Sequence, residues 1–151
     1  MRLILAFSLL LSFPALADIT GPARVIDGDT IDISGQRVRL YGIDAPEGKQ
    51  TCALDGKPWD CGRDAAKALT GEIAGREVRC HERDVDRYKR IVAVCHVGGL
   101  DLNEWMVRQG RAMAYRQFSR AYVQAEDEAK TAKRGIWSSE FKAPWEWRRR
   151  P

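Results

Sequence analysis

Apolar and polar residues alternate with period two through most of the first hundred residues, and the pattern then lengthens to helical spacing. Arg24-Val25-Ile26 leads into the turn Asp27-Gly28-Asp29, and Thr30-Ile31-Asp32-Ile33 alternates as a half-buried strand does. Ser34-Gly35 marks a second turn. Residues 36–43 then set Val38, Leu40 and Gly42 on one face, with Arg37, Arg39 and Tyr41 on the other. Three strands joined by short turns predict a meander. Residues 48–58 are polar and punctuated by glycine, which predicts a loop. A helix is predicted over 60–73, where Ala65, Ala66, Ala68, Leu69 and Ile73 give an apolar side and Gly75 a stop. Residues 77–80 and 90–97 predict a hairpin around a charged tip, 81–89. Two more helices follow. One spans 100–109, with Asp101 as its N-cap, Leu102, Trp105 and Met106 facing inward, and Gly110 as its stop. The other spans 121–133, with Ala121, Ala125, Ala129 and Ala132 on one side and Gly135 beyond. Five strands and three helices predict the α+β class, a small β-barrel packed with helices.

Residues 1–17 change the boundaries of that domain. Arg2, the apolar run from Leu3 to Phe13 and the small-x-small site Ala15-Leu16-Ala17 read as a secretory signal peptide. No later stretch approaches the roughly 20 apolar residues of a membrane helix. The exported chain, 18–151, is then one domain of 134 residues. Without Arg2 the basic side chains number 24 against 21 acidic, a net charge of +3, too mild to specify a nucleic-acid partner. Cys52, Cys61, Cys80 and Cys95 form an even set in an exported chain, which predicts disulfides, with local pairing favoured because each pair brackets a loop-like segment. No metal-ligand spacing joins these cysteines to His81 or His96, so both histidines read as ordinary polar residues.

The chemistry concentrates between Val25 and Glu47, which hold Asp27, Asp29, Asp32, Asp44 and Glu47 with Arg37 and Arg39 between them. Asp27 and Asp29 project to the same side of an extended chain. A meander can return Asp44 and Glu47 to that turn, and carboxylates so close repel unless a cation lies between them. An oxygen-only set suits Ca2+ or Mg2+. A solvated acidic face fits the acidic pattern equally well. Arg39 and Arg90 tip the balance, because guanidinium forks beside a cation make a phosphate site. Glu47, if free of the metal, would take a proton from water.

IDGDT at 26–30, RLYGIDAPE at 39–47, DRYKR at 86–90, NEWMVRQGRA at 103–112 and the AK-x-AKRGIW ending at Trp137 resemble the staphylococcal nuclease (thermonuclease-like) family in order and spacing. The resemblance spans about residues 22–137. It implies a five-stranded OB-type barrel with three helices, and Ca2+-dependent hydrolysis of phosphodiester bonds in DNA and RNA. Asp29 and Asp44 match its calcium-ligating aspartates, and Ala45 matches the position offering a backbone carbonyl. Asp27 matches an aspartate behind those ligands. Glu47 matches the general base, Arg39 and Arg90 the phosphate-gripping arginines, and Tyr115 lies near nucleotide-contacting tyrosines. Three positions depart. Ala45 replaces a common threonine, Lys89 replaces the glycine of the D-x-Y-G-R turn, and Gln117 stands near a second tyrosine position.

Outside these motifs, Trp105 and Trp137 are expected in apolar packing. The tail PWEWRRRP, 144–151, is expected to pack its tryptophans on the body with its arginines solvated, the alternative being a grip on single-stranded nucleic acid. The expectation is a monomeric nuclease, secreted or periplasmic, with DNA or RNA as substrate. The competing expectation is a non-catalytic OB-fold module that binds nucleic acid or polysaccharide.

Overall fold

The computed structural model describes residues 18–151, so the predicted signal peptide, 1–17, lies outside the described residues. Period-two alternation builds β1 (Asp18–Asp27), β2 (Thr30–Ile33) and β3 (Gln36–Leu40), followed by β4 (Ile43–Asp44), β5 (Cys52–Leu54) and β6 (Lys57–Trp59). Helix α1 (Cys61–Ile73) precedes the long hairpin of β7 (Glu77–Val85) and β8 (Ile91–Val97). Next come β9 (Leu100–Asp101), α2 (Leu102–Arg108), β10 (Met113–Ala114) and α3 (Val123–Thr131). A 3-10 turn, Gly135–Ser138, and α4 (Pro144–Arg148) end the fold.

Strand β1 changes partner midway. Its first half pairs with β7, from Asp18 opposite His81 to Pro22 opposite Glu77, and its second half with β2, from Ala23 opposite Ile33. Pro22, with no N–H to give, falls at the changeover. Strand β3 pairs antiparallel with β2 and parallel with β8, which closes the order β3-β2-β1-β7-β8 into a five-stranded barrel. With three helices of seven residues or more, this is the OB-type α+β architecture expected.

Ile31, Ile33, Val38, Leu40, Val78 and Ala93 share one buried core with Ala65, Leu69 and Ile73 of α1 and Leu102, Met106 and Val107 of α2. Each fully buried Leu or Ile contributes about 1.5–3 kcal/mol. Asn103 holds α2 to the barrel seam: its amide donates to the carbonyls of Tyr41 and Ala93 (2.9 and 3.1 Å) and accepts from Cys95 N (3.1 Å). A buried amide so fully satisfied fixes one register. The expected N-cap forms, with the Asp101 side chain accepting from Glu104 N. Both expected disulfides are present, Cys52–Cys61 and Cys80–Cys95. Trp105 and Trp137 are partly buried in apolar clusters.

Five boundaries differ from expectation, each for a local reason. Strand β3 ends at Leu40, because Gly42 takes φ +74° and sends β4 off to pair with β10. The predicted loop 48–58 contains the β5–β6 hairpin, whose Asp55-Gly56 turn has φ +51° and +75°, the geometry favoured by two-residue hairpins. The β7–β8 hairpin extends to Val85, because its outer face meets water and charged residues there do not end pairing. Leu100 and Asp101 pair with β8 as a strand, so α2 begins at Leu102. Helix α3 begins at Val123, leaving Ala121 and Ala132 exposed outside it, and the buried line is Tyr122, Ala125, Glu126 and Ala129. Glu126 is tolerated there because its carboxylate accepts from Ala114 N, Arg116 and Lys130.

Candidate active site

The β1–β2 turn begins the site. Asp27 accepts from the backbone N–H of Asp29 (3.1 Å), which holds Asp29 inward at the turn. Asp29 is buried; one carboxylate oxygen accepts from Ala45 N (2.9 Å) and the other from Thr30 Oγ1 (3.1 Å). The meander therefore returns its far end to its first turn, as the spacing of the carboxylates suggested.

Arg39 lies between the two buried aspartates, 3.4 Å from Asp29 Oδ1 and 3.4 Å from Asp44 Oδ1. Burial pushes the carboxyl pKa of both Asp29 and Asp44 upward, more strongly than the guanidinium groups pull it down. For Arg39 the balance is reversed. Burial alone would lower its pKa, but Asp29 and Asp44 together raise it.

Glu47 reaches the same place from the loop after β4. Gln50, almost fully buried, fixes that loop, accepting from Glu47 N through its side chain (3.1 Å) and donating from its own N to the Glu47 carbonyl (2.7 Å). Its side-chain amide also donates to the carbonyl of Lys142 (2.8 Å), which ties the loop to the C-terminal segment. Helix α1 comes so close behind that a Cβ on Gly62 would stand 1.8 Å from the Glu47 carbonyl oxygen.

Arg90 is held apart from this knot. Its Nε donates to Asp86 Oδ2 (2.7 Å) and its N to Asp86 Oδ1 (3.0 Å), and its guanidinium lies over the Tyr88 ring. Lys89 takes φ +61°, so the turn keeps the left-handed geometry natural to glycine although a lysine occupies it. Arg90 and Arg39 line one open cleft of about 640 Å3 with Asp29, Glu47, Tyr115 and Arg148. Tyr115 stacks on Trp145 of α4 with ring centres 5.5 Å apart and meets Phe118 edge-on. Gln117 is not among the cleft residues; the exposed aromatics Tyr88 and Phe118 are.

The sequence reading missed two residues, Arg148 and Gln50. The tail does pack through Trp145, and Arg148, expected to be solvated, is partly exposed but also paired with carboxylates of the barrel. Its guanidinium forks onto Asp44, Nη1 to Oδ1 at 3.0 Å and Nη2 to Oδ2 at 2.8 Å, and Nη1 also reaches Glu47 Oε1 at 2.6 Å. Those pairings, that with Asp44 foremost, raise the Arg148 pKa. The run of arginines and tryptophans was the only available signal, and nothing in it singled out position 148. Gln50 gave no signal.

Among the described residues no group of three or more His, Cys, Asp or Glu side chains is arranged to hold a metal. Asp29 and Asp44 form an oxygen-only pair, the donor type that suits a hard cation. In this structure guanidinium groups hold these carboxylates, Arg39 on both and Arg148 on Asp44.

Comparison with known proteins gives a consistent result. The family described as staphylococcal nuclease homologue matches residues 37–139. A succinoglycan biosynthesis protein of Rhizobium meliloti is 39% identical, over 83% of this chain and 68% of its own length. An uncharacterized endonuclease of Escherichia coli is 38% identical, over 92% of both chains. A micrococcal nuclease of Shigella flexneri is 36% identical, over 95% of this chain and 88% of its own.

Proposed function

This chain belongs to the staphylococcal nuclease family, and from that premise we propose that it is an exported, calcium-dependent nuclease that hydrolyses phosphodiester bonds of DNA or RNA. The observation that carries the reading is the cleft lined by Asp29, Arg39, Glu47 and Arg90, with Asp44 buried behind it and paired to Arg39.

Asp29, Asp44 and the Ala45 carbonyl would hold Ca2+, with Asp27 steadying the Asp29 turn from behind. Bound there, Ca2+ would draw charge from a phosphate oxygen. Arg39 and Arg90 donate to the remaining phosphate oxygens, whose charge grows as water adds. Glu47 takes the proton of the attacking water as the O–P bond forms, and the leaving oxygen departs from the opposite side. Tyr115 offers a ring face for a base. The two disulfides support an oxidising destination, secreted or periplasmic, with residues 1–17 as the leader.

Digestion of single-stranded DNA by the oxidised protein tests this directly. Cleavage is expected with Ca2+ and should stop when a chelator is added. Binding without cleavage would instead identify a non-catalytic OB-fold module.

A further inference from the structure

We propose that Arg148 is a resident competitor for the cation site: without metal its guanidinium takes the oxygens of Asp44 and Glu47, and its withdrawal sets the affinity and admission of the divalent cation. The inference rests on the reading of Asp29 and Asp44 as cation ligands.

Three observations carry it. First, Arg148 engages both oxygens of Asp44, the same atoms a cation needs, together with one oxygen of Glu47. A divalent cation on Asp44 would stand beside the guanidinium, and like charges at such range repel strongly in a half-buried site. Both cannot hold that carboxylate in the same geometry.

Second, Asp44 already has Arg39 as a partner, so Arg148 is not its sole neutraliser. The Arg148 side chain is 38% exposed against 18% for Arg39, which makes it the partner able to swing out. Third, Arg148 lies beyond residue 139, where the family match ends. It is carried by the C-terminal helix, outside the barrel. That segment is delivered by two ties, the Trp145 stack on Tyr115 and the Gln50 bond to the Lys142 carbonyl. Displacing Trp145 from Tyr115 would thus also loosen Arg148.

Calorimetric titration of Ca2+ into the oxidised, chelator-stripped protein tests the proposal without reference to activity. Arg148→Ala should bind Ca2+ about tenfold more tightly than wild type, the order expected on losing a charge-assisted pair. Arg148→Lys, which loses the fork, should fall between them. Trp145→Ala, which keeps the arginine but frees the strap, should tighten binding about threefold and carries the comparison if Arg148→Ala misfolds. Arg149→Ala removes the same charge from the same segment and should stay within about twofold of wild type. Equal or weaker binding by Arg148→Ala, or an equal gain from Arg149→Ala, would overturn the competitor role while leaving the calcium site standing. If no protein in the series binds Ca2+, even with a nucleoside bisphosphate present, both the competitor and the cation reading fall.

Discussion

Burial removes water from Asp44 completely, and two guanidinium groups offset that loss, Arg39 from the barrel and Arg148 from the C-terminal helix. Glu47 differs from Asp44 in that it remains partly open to the cleft. Glu47, partly exposed on a braced loop, can reach a water in the cleft, whereas Asp44, sealed from water, can act only on the cations packed against it. Glu47→Gln should therefore lower kcat by about 10²–10⁴, the usual size of a general-base contribution. Calcium affinity should not fall, because Asp29 and Asp44 are untouched and Arg148 loses one of its anchors. Single-turnover rates with parallel calcium titration check both halves, and near-normal turnover would remove Glu47 from the base role.

At the scale of elements, the turn joining β7 to β8 shows how a local exception is tolerated. A lysine at φ +61° costs about 1 kcal/mol relative to glycine, but Asp86 surrounds the turn with compensating bonds. Its carboxylate accepts from the backbone of Tyr88 and of Arg90 and from the Arg90 side chain, so the turn and the arginine are built together. Those bonds overcome the effect of desolvation and hold the Asp86 carboxyl below the usual aspartate range. Lys89→Gly should thus raise stability by up to about 1 kcal/mol without moving Arg90. The midpoint of urea unfolding measures the first part, and unchanged affinity for a nucleotide measures the second. A fall in stability would mean that the lysine side chain contributes more than its backbone strain costs.

At the scale of the whole molecule, the site depends on how closely α1 backs the Glu47 loop. Because a Cβ on Gly62 would overlap the Glu47 carbonyl, Gly62→Ala must push helix and loop apart. The expected result is about 1–3 kcal/mol of destabilisation, typical of overpacking. A displacement near 1 Å should also cost about 10²-fold in kcat. Thermal unfolding and steady-state kinetics on one preparation separate the two effects. Full activity would mean that the loop adjusts without carrying Glu47 with it.

Short-range spacing encodes the features that residues near one another in the chain can specify. Alternation at 30–33 and 36–40 placed Ile31, Ile33, Val38 and Leu40 on the inner face of the barrel. The two-residue interval put Asp27 and Asp29 on the same side, where both line the cleft, and Asp101 served as the cap its position suggested. The motifs at 26–30 and 39–47 also carried the family, which the comparisons bear out. Tertiary structure alone decided the reach of the β7–β8 hairpin, the turning away of β4, and the place of the C-terminal helix. Arg148 stands 104 residues from Asp44 and 101 from Glu47, separations over which no local pattern selects one arginine among three. Packing made that choice: Trp145 against Tyr115 and Gln50 against the Lys142 carbonyl set where α4 ends, and the guanidinium at that end met the carboxylates the barrel had already buried.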